Sequence, residues 1–231
     1  MTKSFFITSS GTEIGKTFVT AALIHQLKAA DRTVTAAKPL LSGFDEDAVD
    51  ETDTGILLKA LGLARDADAI NEMTPWRFSA ALSPDMAAAR EGKTIDFEEL
   101  CSFSRQAQNR EADFCLIEGV GGVMAPVGQG HTVLDWIAAS KCPALLVVGG
   151  YLGTISHTLT AVKALQSANG PLAGIIISAM GELPVSPEET RAAILRFLPE
   201  TPVAILPDCG KTEDAWAHAP DLLSQLCLLD A

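Results

Sequence analysis

The sequence predicts an α/β fold: a mainly parallel sheet with helices on both faces, spanning residues 1–231 as a single unit. Two observations predict it. Short apolar, β-rich runs alternate with longer stretches of helical period, the pattern of successive βαβ units. Several of the runs are apolar at every position, as expected of strands covered on both faces. The expected strands are Ser4–Thr8, Thr33–Ala37, Phe114–Ile117, Ala144–Val148, Gly174–Ile177 and Val203–Leu206. Between them, helices are expected at Lys16–Ala30, Thr54–Leu63, Phe97–Asn109, Leu134–Ala139, Ile155–Ala168, Pro187–Phe197 and Pro220–Leu228. In the first helix, Val19, Leu23, Ile24 and Leu27 recur at three- and four-residue intervals, so one stripe packs on the sheet. No internal repeat, low-complexity tract or inter-domain linker interrupts the pattern.

Composition narrows the function. The chain has 48% hydrophobic and 20% charged residues, a globular balance, and 17 Lys+Arg against 29 Asp+Glu give a net charge of −12. An acidic chain without a basic stretch offers no footprint for nucleic acid or anionic lipid. Any phosphate it binds must be held by local geometry and a metal against the overall field. Five widely spaced cysteines without a Cys-x-x-Cys pair read as free thiols in a reducing compartment. The amino terminus lacks the apolar segment of a signal peptide, so a cytoplasmic location is expected.

The strongest chemical signal is Thr8-Ser9-Ser10-Gly11-Thr12-Glu13-Ile14-Gly15-Lys16-Thr17, joining the first strand to the first helix. Unpaired N–H groups at a helix start carry the positive end of the dipole, so a phosphate docks there. Lys16 adds a point charge and Thr17 a Mg²⁺ ligand. The strict pattern G-x-x-x-x-G-K-[ST] is not met, because its first Gly falls at Ser10; the bland alternative is an ordinary helix start. Lys38-Pro39-Leu40-Leu41-Ser42-Gly43 sits where a parallel strand delivers residues to the ligand crest. Lys38 there meets a phosphoryl group or an anionic substrate, or is a solvated Lys before a turn. In Phe114-Cys115-Leu116-Ile117-Glu118-Gly119-Val120-Gly121-Gly122 a buried strand ends in an acid and three glycines. Such a carboxylate holds Mg²⁺ and the glycines admit phosphates, unless the segment is only a tight turn. From the acid run Asp45–Asp53 only Asp53 lies where a helix start brings a carboxylate towards the phosphates. Leu152-Gly153-Thr154-Ile155-Ser156-His157 opens another helix and offers a second anion site.

Taken together these segments resemble the dethiobiotin synthetase family. Its loop, Gly-Thr-Asp-Thr-x-Val-Gly-Lys-Thr, is matched by Ser9-Ser10-Gly11-Thr12-Glu13-Ile14-Gly15-Lys16-Thr17. Its Lys-Pro-x-x-Ser-Gly is matched at Lys38–Gly43 and its Glu-Gly-x-Gly-Gly at Glu118–Gly122, with further matches at Ser83-Pro84, Asp135-Trp136 and Leu152–His157. The matches run in family order over roughly the first two-thirds of the chain.

The resemblance implies a homodimeric, doubly wound enzyme of the P-loop NTPase type. It would use ATP and Mg²⁺ to close a cyclic urea from 7,8-diaminopelargonic acid and CO₂, through a carbamate and its mixed anhydride with phosphate. It further implies Thr17, Asp53 and Glu118 as metal ligands, and a nucleotide site of Gly11, Thr12, Glu13, Ile14, Gly15, Lys16, Thr17, Phe18, Glu118, Gly121, Ser178 and Pro207. Lys16, Thr12, Lys38 and Ser42 would serve the reacting groups, with Gly121 nearby, while Gly153, Thr154, Ile155 and Ser156 would take the substrate's tail carboxylate from the neighbouring subunit.

Three positions depart from the family pattern. Ser9 replaces the first loop Gly, and its Cβ disfavours positive φ. Asp85 follows Ser83-Pro84 where the family often has His, and no role is assigned to it. Ser178 replaces an Asn that reads adenine, and offers fewer hydrogen bonds. Two alternatives stand beside this reading. One is a related P-loop amide ligase, although such ligases usually carry a glutaminase domain. The other is an ATP-switched, partner-positioning dimer, whose signature Lys is replaced here by Gly11.

Overall fold

A computed structural model of the chain describes residues 2–128, 130–210, 212 and 214–229. In chain order it contains β1 (Lys3–Ser9), α1 (Lys16–Ala29), β2 (Val34–Ala37), β3 (Leu40–Ser42), α2 (Asp53–Leu61), α3 (Ala67–Met73) and β4 (Trp76–Phe78). Next come α4 (Pro84–Arg90), α5 (Phe97–Gln108), β5 (Phe114–Glu118), β6 (Pro126–Gly128), β7 (His131–Thr132), α6 (Val133–Ser140) and β8 (Ala144–Gly149). The chain closes with α7 (Thr154–Ser167), β9 (Leu172–Ala179), α8 (Pro187–Leu195), β10 (Val203–Pro207) and α9 (Leu222–Gln225).

Six strands form one sheet in the order β10-β9-β8-β1-β5-β2, all neighbours parallel. The pleat sends alternate residues to opposite faces, and the sequence fills both. Leu146 and Val148 enter the core that holds Trp136, Leu100 and Val162, whereas Leu145 and Val147 enter the core that holds Leu23, Leu57 and Leu222. Phe6 belongs to the first core and Phe5 and Ile7 to the second, which is the doubly covered parallel sheet expected from the all-apolar runs.

Every expected strand and helix is present with its ends shifted by a few residues; the helix expected at Pro220–Leu228 is only the short α9. Four short strands and two helices were not foreseen. Runs of two or three residues such as β3 and β7 carry no measurable period. The helices did leave signals: the Asp66 carboxylate caps α3 by accepting from Ala69 N at 2.9 Å, and Pro84 opens α4 at a position where its missing N–H costs nothing.

Parallel pairing of β1, β5 and β2 brings three strand ends to one edge. The register sets Ile7 beside Glu118 and Ala37 beside Ile117, so Lys38, the next residue, leaves the sheet alongside Glu118. Across the crest, Asp53 is set by the start of α2. Thr52 caps that helix by accepting from Gly55 N at 3.2 Å, and Gly55 lies so close to the 3-10 turn Val49–Glu51 that a Cβ there would stand 2.0 Å from the Val49 carbonyl oxygen. Gly55→Ala is therefore expected to push the turn and α2 apart and to lower stability by about 1–3 kcal/mol, measured as a reduced urea midpoint.

Candidate functional site

The loop between β1 and α1 wraps the helix start as its sequence requires. Gly15, the residue before α1, has φ 91°, and Glu13 has φ 57°. Positive φ at these positions turns successive N–H groups inward. A side chain at Gly15 would also meet the Met180 methyl at 2.8 Å and the Ser178 hydroxyl at 3.0 Å. Ser9 takes no positive φ. It ends β1 in extended backbone, so the expected penalty for its Cβ does not arise.

Above the loop lies a cavity of about 730 Å³ lined by Thr12, Glu13, Ile14, Gly15, Lys16, Thr17, Lys38, Ser42, Asp53 and Gly121. Lys38 is not the solvated Lys of the bland alternative: it is 1% exposed. Its ammonium pairs with Asp53 Oδ2 and Glu118 Oε1, each at 2.8 Å, and donates to the Gly119 carbonyl at 2.8 Å. All three protons are thus in use. Burial works against its charge, but the Asp53 and Glu118 carboxylates outweigh that and hold its pKa above the ordinary lysine value. The same pairing acts on Asp53: burial opposes ionisation, and the Lys38 ammonium overcomes it and keeps the carboxyl below its usual range. Lys16 is in the opposite position. Burial, reinforced by the neighbouring Lys38 charge, pushes it down to about 8.

Glu118 also accepts from the Thr17 hydroxyl at 2.8 Å, so all three expected metal ligands meet around Lys38. Glu118 Oε2 and the Ser42 hydroxyl are buried without a hydrogen-bond partner among the described residues. Among those residues no three His, Cys, Asp or Glu side chains converge on one point. A cation here would therefore be held by two carboxylates, the Thr17 hydroxyl and ligand oxygens. That is the donor set of Mg²⁺, which usually keeps only one or two protein carboxylates and completes its shell with phosphate and water, and the orphaned Glu118 oxygen fits it.

Other expected residues lie apart. Gly11 and Ser178 line a neighbouring cavity of about 520 Å³ with Ser10, Tyr151 and His157. Ser178 Oγ is buried and has no hydrogen-bond partner among the described residues. Pro207 is the exposed end of β10, one register step beyond the pair Leu206 and Ser178. Phe18 packs against the core that holds Leu23. Gly153 (φ 98°), Thr154, Ile155 and Ser156 start α7 and line neither cavity. His157 receives or gives a 2.8 Å hydrogen bond with the Tyr151 hydroxyl, as befits a structural histidine. In the acid run, Asp50 pairs with Arg65 at 2.7 Å. Sequence reasoning gave no role to Gly119, whose carbonyl holds Lys38, although it stood inside a quoted motif. Nor did it anticipate Met180, which no local pattern marks.

A family model described as AAA domain matches residues 3–215. The ATP-dependent dethiobiotin synthetase of Acidiphilium cryptum is 46% identical over 213 residues, covering 92% of this chain and 96% of that protein. This chain belongs to the dethiobiotin synthetase family. Two further family members, from Caulobacter sp. K31 and Bacillus subtilis strain 168, are 41% and 34% identical, covering 96% and 87% of this chain and 94% and 85% of theirs. Among solved structures, the septum site-determining protein MinD of Pyrococcus horikoshii OT3 aligns with TM-score 0.56 and 17% identity, over 94% of this chain and 86% of its own. A ParA family ATPase from Chlorobium tepidum aligns with TM-score 0.54 and 14% identity, over 98% and 95%. At these identities the likeness bears on the fold alone, a parallel sheet covered by helices on both faces.

The depressed Lys16 pKa has a measurable sign. Below pH 8 the free protein holds this ammonium protonated; above it, a phosphate that is to meet an ammonium here would bind with uptake of a proton. ADP affinity is therefore expected to fall as pH rises from 8 towards 10, by at most about tenfold per pH unit, and Lys16→Met should flatten the profile in calorimetric titrations.

Proposed function

We propose that this chain uses ATP to join 7,8-diaminopelargonic acid and CO₂ into the cyclic urea of dethiobiotin, forming two C–N bonds and releasing ADP and phosphate. Membership of an ATP-dependent ligase family supports the reaction. The observation that carries the assignment of roles is the buried Lys38, poised between the phosphate loop and two carboxylates.

In this reading the substrate's first amine takes up CO₂ as a carbamate. A carbamate oxygen attacks the γ-phosphorus and ADP leaves; the second amine then attacks the carbonyl carbon, phosphate leaves and the ring closes. Such transfers ask a protein for alignment and countercharge more than for covalent chemistry. Lys16 and the loop N–H groups from Gly11 to Phe18 hold the phosphates. Thr12 and the Ser42 hydroxyl hold the carbamate together with Lys38, which gives up one of its present acceptors to reach it, with Gly121 at the same rim; an unpartnered buried hydroxyl such as Ser42 Oγ is suited to that role. Thr17, Asp53 and Glu118 would hold Mg²⁺, which when bound offsets phosphate charge. The nucleobase would lie towards Ser178 and Pro207. Gly153–Ser156 would take the tail carboxylate of a substrate bound in a neighbouring subunit, so the working form is a homodimer; Leu152, 87% exposed beside that helix start, is the side chain to be covered.

Mass spectrometry of product tests the reaction: the cyclic urea should appear only with diamine, bicarbonate, Mg²⁺ and a nucleoside triphosphate. Lys38→Met should abolish it, and should lower stability by about 3–5 kcal/mol because Glu118 is left as a buried unpaired charge; product at the wild-type rate would remove Lys38 from the mechanism. For the dimer, sedimentation of Leu152→Glu should show monomer, with a raised KM for the diamine and an unaltered ADP affinity.

A further inference from the structure

Ser9 stands where the family loop has Gly, and its side chain does something a glycine cannot. The residue is wholly buried, and its hydroxyl oxygen accepts from Lys16 Nζ at 3.1 Å. Its single proton goes to the carbonyl of Gly11 or to that of Gly121, the latter 2.8 Å away. Lys16 Nζ also donates to the Gly121 carbonyl, at 3.0 Å. A second tie runs through the backbone, where Val123 N donates to the Ser9 carbonyl at 3.0 Å. Ser9 thus lies between the phosphate loop and the glycine turn after β5, and its hydroxyl is one of two acceptors for the buried lysine ammonium among the described residues.

We propose that Ser9 is a positioning residue for Lys16 in this chain. An ammonium has three protons. Ser9 Oγ and the Gly121 carbonyl hold two of them, which fixes the end of a long, flexible side chain and leaves the third for a phosphate oxygen. With a glycine at this position only the carbonyl would remain, and the ammonium would have to be ordered when the nucleotide arrives. The replacement of Gly is tolerated because the position needs no positive φ. Its effect is therefore on a hydrogen bond and not on loop shape. The inference rests on the reading of this loop as the phosphate site, and it is tested by nucleotide binding without diamine, so it fails or stands separately from the ligase assignment.

The test is a double-mutant cycle with ADP and Mg²⁺ titrated calorimetrically into wild type, Ser9→Ala, Lys16→Met and the double variant. Loss of one charge-assisted hydrogen bond predicts that Ser9→Ala weakens ADP binding about tenfold, with the melting temperature and the KM for diamine little changed. In the Lys16→Met background the same substitution should have no further effect. Should Ser9→Ala fold poorly, Ser9→Gly, the residue of the family loop, takes its place. Unchanged ADP affinity in the hydroxyl-less variant overturns the proposal. So does an equal loss in the Lys16→Met background, because Ser9 would then act on the loop and not through the lysine.

Discussion

The Lys38 ammonium, shared between Asp53 and Glu118 at 2.8 Å each, is the interaction on which the rest of the site depends. A single charge of either sign would be costly at this depth. One lysine against two carboxylates, with a second lysine at position 16 close by, makes a set, buried except at the one-third-exposed Asp53, whose charges nearly cancel. Each member is held ready by its neighbours, at the carboxyl ends of strands where a parallel sheet presents its ligands. The arrangement also separates the two lysines in character. Lys38 is bound to carboxylates and held firmly charged, whereas Lys16, bonded among the described residues to a hydroxyl and a carbonyl, has its pKa pushed down to about 8.

Maintaining this cluster takes packing well away from it. Gly119, whose carbonyl receives Lys38, lies against Phe6; a Cβ there would stand 2.7 Å from the ring. Phe6 in turn meets Trp136 edge-on at 4.9 Å, and the indole N–H is tied to Ser104 Oγ at 2.8 Å. Aromatic pairs of this geometry are specific in direction as well as apolar. A chain of contacts from α5 and α6 through β1 thereby sets the height of the backbone that holds the lysine. On the opposite face, the close approach of Gly55 to the Val49–Glu51 turn sets Asp53.

The comparison with distant P-loop proteins sharpens what is specific here. The septum site-determining protein and the ParA family ATPase share the sheet, and at 17% and 14% identity their likeness bears on the fold alone. Folds of this kind host many activities, and the chemistry resides in the residues placed at the strand ends. The family members at 34–46% identity are a different case, since their likeness extends over most of both chains.

By itself the sequence determined the layered α/β class and marked the loop at Ser9–Thr17, Lys38, Asp53 and Glu118 as candidate positions, because alternating apolar runs and glycine-rich strand exits are local signals. It left open whether Lys38 was solvated, since burial depends on residues 80 positions away such as Glu118. Only the tertiary structure decided that Ser9 bonds Lys16, that Ser178 lies under Gly15 and that Gly119 is an acceptor. The last two of these contacts join segments far apart in the chain, and the first closes a seven-residue loop that the Gly121 carbonyl and Val123 help to hold. They follow from the parallel register and from close packing, neither of which any local stretch of residues encodes.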